Sequence, residues 1–148
     1  MDSTQDTHNH IARVQARMDE VIASLEARAA VHDASKLAAP EKAGFDVLTE
    51  KLSSMVYGSD EYKAALAEGK PTIDHHYAMN THHPEHYPSG IAGMSLLDIV
   101  EMFCDWKASS ERTKQGSIAR SLTHNKQRFG ISDQLASILE NTVKELGW

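Results

Sequence analysis

Apolar residues recur at spacings of three and four along most of the chain, and nowhere do they alternate for long enough to build a strand. Ile11, Val14, Met18, Val21 and Ile22 set the pattern, and Phe45, Leu48, Leu52, Met55 and Val56 repeat it. Leu135, Ile138, Leu139, Val143 and Leu146 close it. That spacing lays one apolar stripe along a helix, whereas a half-buried strand needs period two. Composition agrees, because aromatics are only 6% while Ala, Leu, Glu, Lys and Met are plentiful, a balance that favours helices. The expectation is an all-α fold, a single-domain bundle of roughly six to eight helices. It spans residues 1–148, with residues 1–8 as a flexible lead.

Local punctuation divides the pattern. A helix is predicted over 11–22, and a second helical stretch runs from Ser24 through LEARAAVHDASKL. No glycine or proline separates them, so one long helix and two with a kink are both open. Pro40 suits the first turn of the next helix, which ends at Gly58. Ser59 begins a short helix that stops at Gly69, and residues 72–80 can form another. Pro84 restricts His83 to an extended conformation, so that helix ends before it. THHPEHYPSGIAG is then a loop, the usual place for functional groups held by a rigid scaffold. Ser95 with Asp98 resembles a capping box, opening a helix through about Lys114. Ser117 and Ser132 head the last two helices.

Charge and chemistry narrow the function. A net charge of -6 argues against duplex nucleic acid, whose binders carry basic surface; cations and small metal-complexed ligands suit it better. The longest apolar runs fall far short of a membrane span, and the polar first ten residues hold no signal peptide. The lone cysteine, Cys104, makes no internal disulfide, which points to a reducing cytoplasm. A homo-oligomer paired through apolar helix faces remains open.

Five of the nine histidines fall in HHYAMNTHHPEH: His75, His76, His82, His83 and His86. Histidine-rich tracts bind metal or phosphate. Upstream stands the pair His32-Asp33; downstream, Asp98, Glu101 and Asp105 share one face of the helix from Ser95. Asp105, between Cys104 and Trp106 in a stretch that reads as buried, needs a cation, either a metal or Arg112. Imidazoles with carboxylates suit Mn²⁺, Fe²⁺, Co²⁺, Ni²⁺ or Zn²⁺ rather than Ca²⁺. His10 can join such a site only if helix one turns back near Ala23-Ser24. In one straight helix it lies about 33 Å from His32.

The order His, His-Asp, histidine-rich loop, helical Asp resembles the HD-domain metal-dependent phosphohydrolases. HDASKLAAPE, YGSDEY, NTHHPEHY and LLDIVEMFCDWKA also resemble an uncharacterised family of small phage and bacterial proteins. The resemblance implies an HD-type helical domain in a bacterial or phage-infected cytoplasm, with a divalent transition metal held by His10, His32, Asp33 and Asp105. It implies hydrolysis of a nucleotide or another small phosphate ester by metal-activated water. His82, His83 and Lys36 would contact phosphate, Glu85 or Glu101 would steer the water, and His76, His83 and His86 would serve substrate or a second metal. The alternatives are a non-catalytic metal-binding protein and a phage interaction protein that keeps the scaffold.

Overall fold

The computed structural model of the chain describes residues 2–56 and 58–148; Met1 and Tyr57, the first residue of the YGSDEY motif, lie outside them. The described residues form seven α-helices with no strand among them. They divide into two units, Met1–His32 and Asp33–Trp148. No described helix is long and apolar enough to cross a membrane.

The first unit is one helix, α1 (Thr4–Val31). With no glycine or proline to break it, the two stretches that the sequence left open join without a kink. The helix starts inside the segment expected to be a flexible lead. Asp2 Oδ1 accepts hydrogen bonds from the Thr4 amide at 2.9 Å and its hydroxyl at 2.6 Å. It stops where His32 turns out of the helix, at ψ 127°. Asp33 then takes the left-handed region, at φ 55°.

The second unit holds α2 (Glu41–Ser53), α3 (Asp60–Glu68), α4 (Lys70–Met79), α5 (Leu96–Ser110), α6 (Ile118–Phe129) and α7 (Asp133–Leu146). Single 3-10 turns over Ala34–Leu37, Pro84–His86 and Gly90–Gly93 join them. The serines read as helix heads act as such. Ser59, Ser95, Ser117 and Ser132 each accept from the amide three residues on, satisfying a donor that a helix start leaves bare. Ser95 and Asp98 complete a reciprocal capping box. Gly130 and Gly147 close α6 and α7 at φ 62° and 67°, where a side chain would be strained. Two helices are shorter than their apolar pattern suggests: α2 leaves Met55 and Val56 beyond its end, and α5 stops before Lys114.

Two groups of contacts position the candidate site. On one side α2 packs against α3, α4 and the Ala34–Leu37 turn, with Leu48 and Ala65 buried. On the other, Phe103, Ile118, Leu122 and Leu139 of α5, α6 and α7 form a buried cluster, flanked by Ile99, Trp106, Leu135 and Val143. Removing one such side chain to alanine costs about 2–5 kcal/mol.

Candidate metal centre

The site is built from three short pieces of the second unit. Asp33 sits before the Ala34–Leu37 turn, His76 lies in α4, and His82 and His83 follow in the loop. Pro84 holds His83 extended, at φ -97° and ψ 127°, as the sequence demanded. Asp33 is the one described non-glycine residue with positive φ. Aspartate tolerates that region better than most residues, and such strain gathers at functional sites.

These four side chains converge. One ligand atom from each of Asp33, His76, His82 and His83 lies within 4.8 Å of all the others. His76 Nε2 and His83 Nε2 are 3.0 Å apart. Asp33 Oδ1 is 3.2 Å from His76 Nε2 and 3.4 Å from His82 Nε2. Ligands at bonds of about 2.1 Å stand about 3.0 Å apart in cis positions of an octahedron and about 3.4 Å apart in a tetrahedron. These three separations fall in that interval and the other pairs lie within 4.8 Å, so the residues could hold one transition-metal ion.

The surrounding groups aim these atoms inward. His76 Nδ1 lies 2.9 Å from Glu41 Oε2, and His82 Nδ1 lies 3.2 Å from Glu101 Oε1. A carboxylate on Nδ1 keeps the proton there and leaves the Nε2 lone pair for a cation, as in carboxylate–histidine–metal arrangements. Glu41 is fully buried. It also faces His75 Nδ1 at 2.8 Å and accepts from the Ser35 hydroxyl at 2.8 Å. Asn80 Nδ2 donates to Ser35 Oγ and to the His76 carbonyl. Lys36 Nζ donates to Asp33 Oδ2 at 2.6 Å and stands over the Phe45 ring, leaving Oδ1 turned to the histidines.

Electrostatics agree with a ligand set. Burial alone would raise the Asp33 carboxyl; hydrogen bonds from His76, His82 and Lys36 outweigh it and hold the group well below the usual carboxylate range. Burial likewise opposes ionisation of Glu41, and His75, Ser35 and His76 lower it nonetheless. Burial, with the nearby His82 and His76, pushes His83 down to about 3. His83 is therefore neutral near pH 7, as a metal ligand must be.

Beside His83 opens a cavity of about 760 Å³ lined by residues that include Tyr77, Glu85, Asp105, Trp106, Arg120, His124, Arg128 and Phe129. Asp105 is half-buried and brings a carboxylate oxygen within 4.8 Å of a ring nitrogen of His82. Its neighbour Cys104 is exposed, so the stretch is less enclosed than its composition suggests.

The remaining residues singled out from the sequence differ in their surroundings. His10 lies exposed on α1. Because α1 is unbroken, His10 and His32 stand about 33 Å apart and cannot share an ion in one chain. That corrects the four-residue set carried by the HD resemblance. His32 closes α1 at the end of the first unit. Glu85 pairs with Arg128 at 2.7 Å rather than facing the histidines. His86 donates from Nδ1 to the Tyr77 carbonyl, a bond that ties the loop to α4. Glu101 orients His82. Glu41 and Ser35 join the site as well; both fall in HDASKLAAPE, though nothing in the sequence assigns either a role.

Fold and site together define an all-helical protein with a buried His–Asp cluster able to hold a cation. The chain belongs to the family of unknown function DUF5662, whose model matches residues 1–145. No curated protein and no solved structure matches it.

Proposed function

We propose that the protein is a metal-dependent phosphohydrolase of a small phosphate ester, such as a nucleotide. One observation carries the reading: four ligand atoms at metal-ligand spacing adjoin an open cavity whose walls include Arg120 and Arg128. A divalent ion held there would supply Lewis acidity and a water of lowered pKa. The chain's own groups would do the rest. Glu41 and Glu101 fix His76 and His82 in the tautomer that presents Nε2. Arg120, His124 and Arg128, at intervals of four on α6 and lining the cavity, face one side of the helix and suit phosphate oxygens. Asp105 offers the cavity a carboxylate that could hold a proton. The HD resemblance of the sequence supports the same chemistry. Mn²⁺, Fe²⁺ or Co²⁺ in an octahedral set would keep two positions beyond the four protein ligands for water and substrate.

A second reading rests on burial. His76 and His82 are almost inaccessible, and four protein ligands would fully satisfy tetrahedral Zn²⁺, giving a closed structural site. Elemental analysis of the purified protein beside Asp33→Asn and His82→Ala, followed by hydrolysis assays on a nucleotide panel and p-nitrophenyl phosphate, separates the two. About one ion per chain, lost in both variants, with metal-dependent turnover supports the hydrolase. Metal without turnover leaves the structural site. No metal after loading with Mn²⁺, Co²⁺ or Zn²⁺ overturns both.

A further inference from the structure

α6 carries its apolar face at Ile118, Leu122 and Phe129, and the position that completes this three-and-four spacing is Asn125. Asn125 is only 7% exposed. An amide buried in this way is costly unless its polar atoms are bonded. Its one bond stays within α6, from Nδ2 to Ser121 Oγ at 3.3 Å. Asn125 therefore ties no two elements together, and its Oδ1 meets no donor among the described residues. The side chain instead lines the cavity of about 760 Å³ beside His83, next to Ser121.

The wall around it shows what chemistry fits. Ser121 accepts from Asn125 and gives its own proton to no described group, unlike Thr123, which donates to the Ala119 carbonyl. An open acceptor thus stands beside an open donor. Ser117 and Thr113 carry further hydroxyls along the same cavity. A hydroxyl donates one bond, accepts two and turns its proton to suit. Such a wall matches the hydroxyls of a ligand better than one fixed edge. The aromatic residues form no slot for a flat base. Trp106 and Phe129 lie parallel with centroids 6.1 Å apart, whereas a ring between them needs about 7 Å. The Arg128 guanidinium also sits over Phe129.

We propose, resting on the phosphate-ester reading of this cavity, that Asn125 with Ser121 determines specificity by binding two adjacent hydroxyls on the ester's organic part. Sugar phosphates and ribonucleotides both carry such a pair. Asn125 Oδ1 accepts from one hydroxyl while Ser121 donates to the other. An ester without the pair leaves the buried Oδ1 unbonded, the circumstance in which a polar pocket discriminates most.

Titration calorimetry of the full chain in EDTA reads binding apart from turnover. The probes are ribose 5-phosphate, a ribonucleoside 5′-monophosphate and the 2-deoxy form of each. The wild type is expected to bind each ribo form about ten- to a hundredfold more tightly than its deoxy form. Asn125→Leu is expected to reduce that ratio to about one, and Ser121→Ala to lower it in part. Leucine suits the apolar face of α6, and a ratio cancels any loosening of the fold that weakens both ligands alike. A preference that survives Asn125→Leu overturns the proposal, as does a wild type that binds no ester or binds ribo and deoxy forms equally. An affinity that follows the base and not the hydroxyls overturns it too. Ribose 5-phosphate binding as tightly as the ribonucleotide identifies a sugar phosphate; tighter binding of the ribonucleotide identifies a nucleotide. Hydroxyl-dependent binding without turnover on metal loading keeps this role for Asn125 and removes the hydrolase. Turnover without hydroxyl preference does the reverse.

Discussion

At the scale of single residues, Glu41 is the most informative side chain. It is a carboxylate without solvent, held by His75, His76 and Ser35. Replacing it by glutamine keeps the shape and removes the charge that holds the proton on His76 Nδ1. Outer carboxylates of this kind are worth about 10- to 100-fold in metal affinity. Glu41→Gln is therefore expected to weaken metal binding by that range in a chelator competition titration. His86→Ala, which removes the bond to the Tyr77 carbonyl and the ring contact with Tyr87, should lose about 1 kcal/mol of stability and leave affinity unchanged. Equal affinity in wild type and Glu41→Gln would refute the orienting role. The sequence makes half of this legible. His82 and His83 stand out because Pro84 and the clustered imidazoles mark a loop built for chemistry. Glu41 does not, because an acid in a first helical turn is what the helix dipole alone would favour on a solvent face.

At the scale of elements, the approach of α2 to α4 brings Glu41 to His75 and His76. Gly44 permits it: a Cβ there would stand 2.0 Å from Thr72 Oγ1 and 2.8 Å from Thr72 Cβ. In an open helix, glycine to alanine gains about 1 kcal/mol. Here the contact reaches Thr72 Cβ, close to the backbone, so the helices must part, and overpacking costs typically 1–3 kcal/mol. The second effect wins. Gly44→Ala should lower the melting temperature and weaken metal binding together, and Thr72→Ala in the same chain, which removes Oγ1 and Cγ2 but keeps Cβ, should recover part of both. A stabilised Gly44→Ala with intact affinity would show that the two helices need no such closeness. Helix starts were readable, because serine caps are local chemistry. The α2–α4 closeness was not, since Gly44 reads in the sequence as a mere weak point in a helix.

At the scale of the whole molecule, the all-helical class followed from one periodicity, while the division into two units did not. The stripe on α1 resembles that on any core-facing helix, and periodicity says that a face is apolar without saying what covers it. The same limit applies to the metal ligands. Asp33 is separated by more than forty residues from His76, His82 and His83, and the packing of α4 against α2 and the Ala34–Leu37 turn joins them. A cation bound across that span favours the folded unit Asp33–Trp148 over its unfolded chain, where the ligands are dispersed. Linkage then requires stabilisation of about 2.7 kcal/mol at free metal a hundredfold above Kd. For a chain of this size that is about 8 °C in melting temperature. Calorimetry of metal-stripped and metal-loaded protein checks it. Loading should raise the transition of the wild type and of His86→Ala alike, and leave an Asp33→Asn, His82→Ala double variant unmoved. A rise of the same size in the double variant would place the stabilising ion elsewhere. No rise in the wild type would mean that the converging imidazoles are held by Glu41 and Glu101 for packing alone.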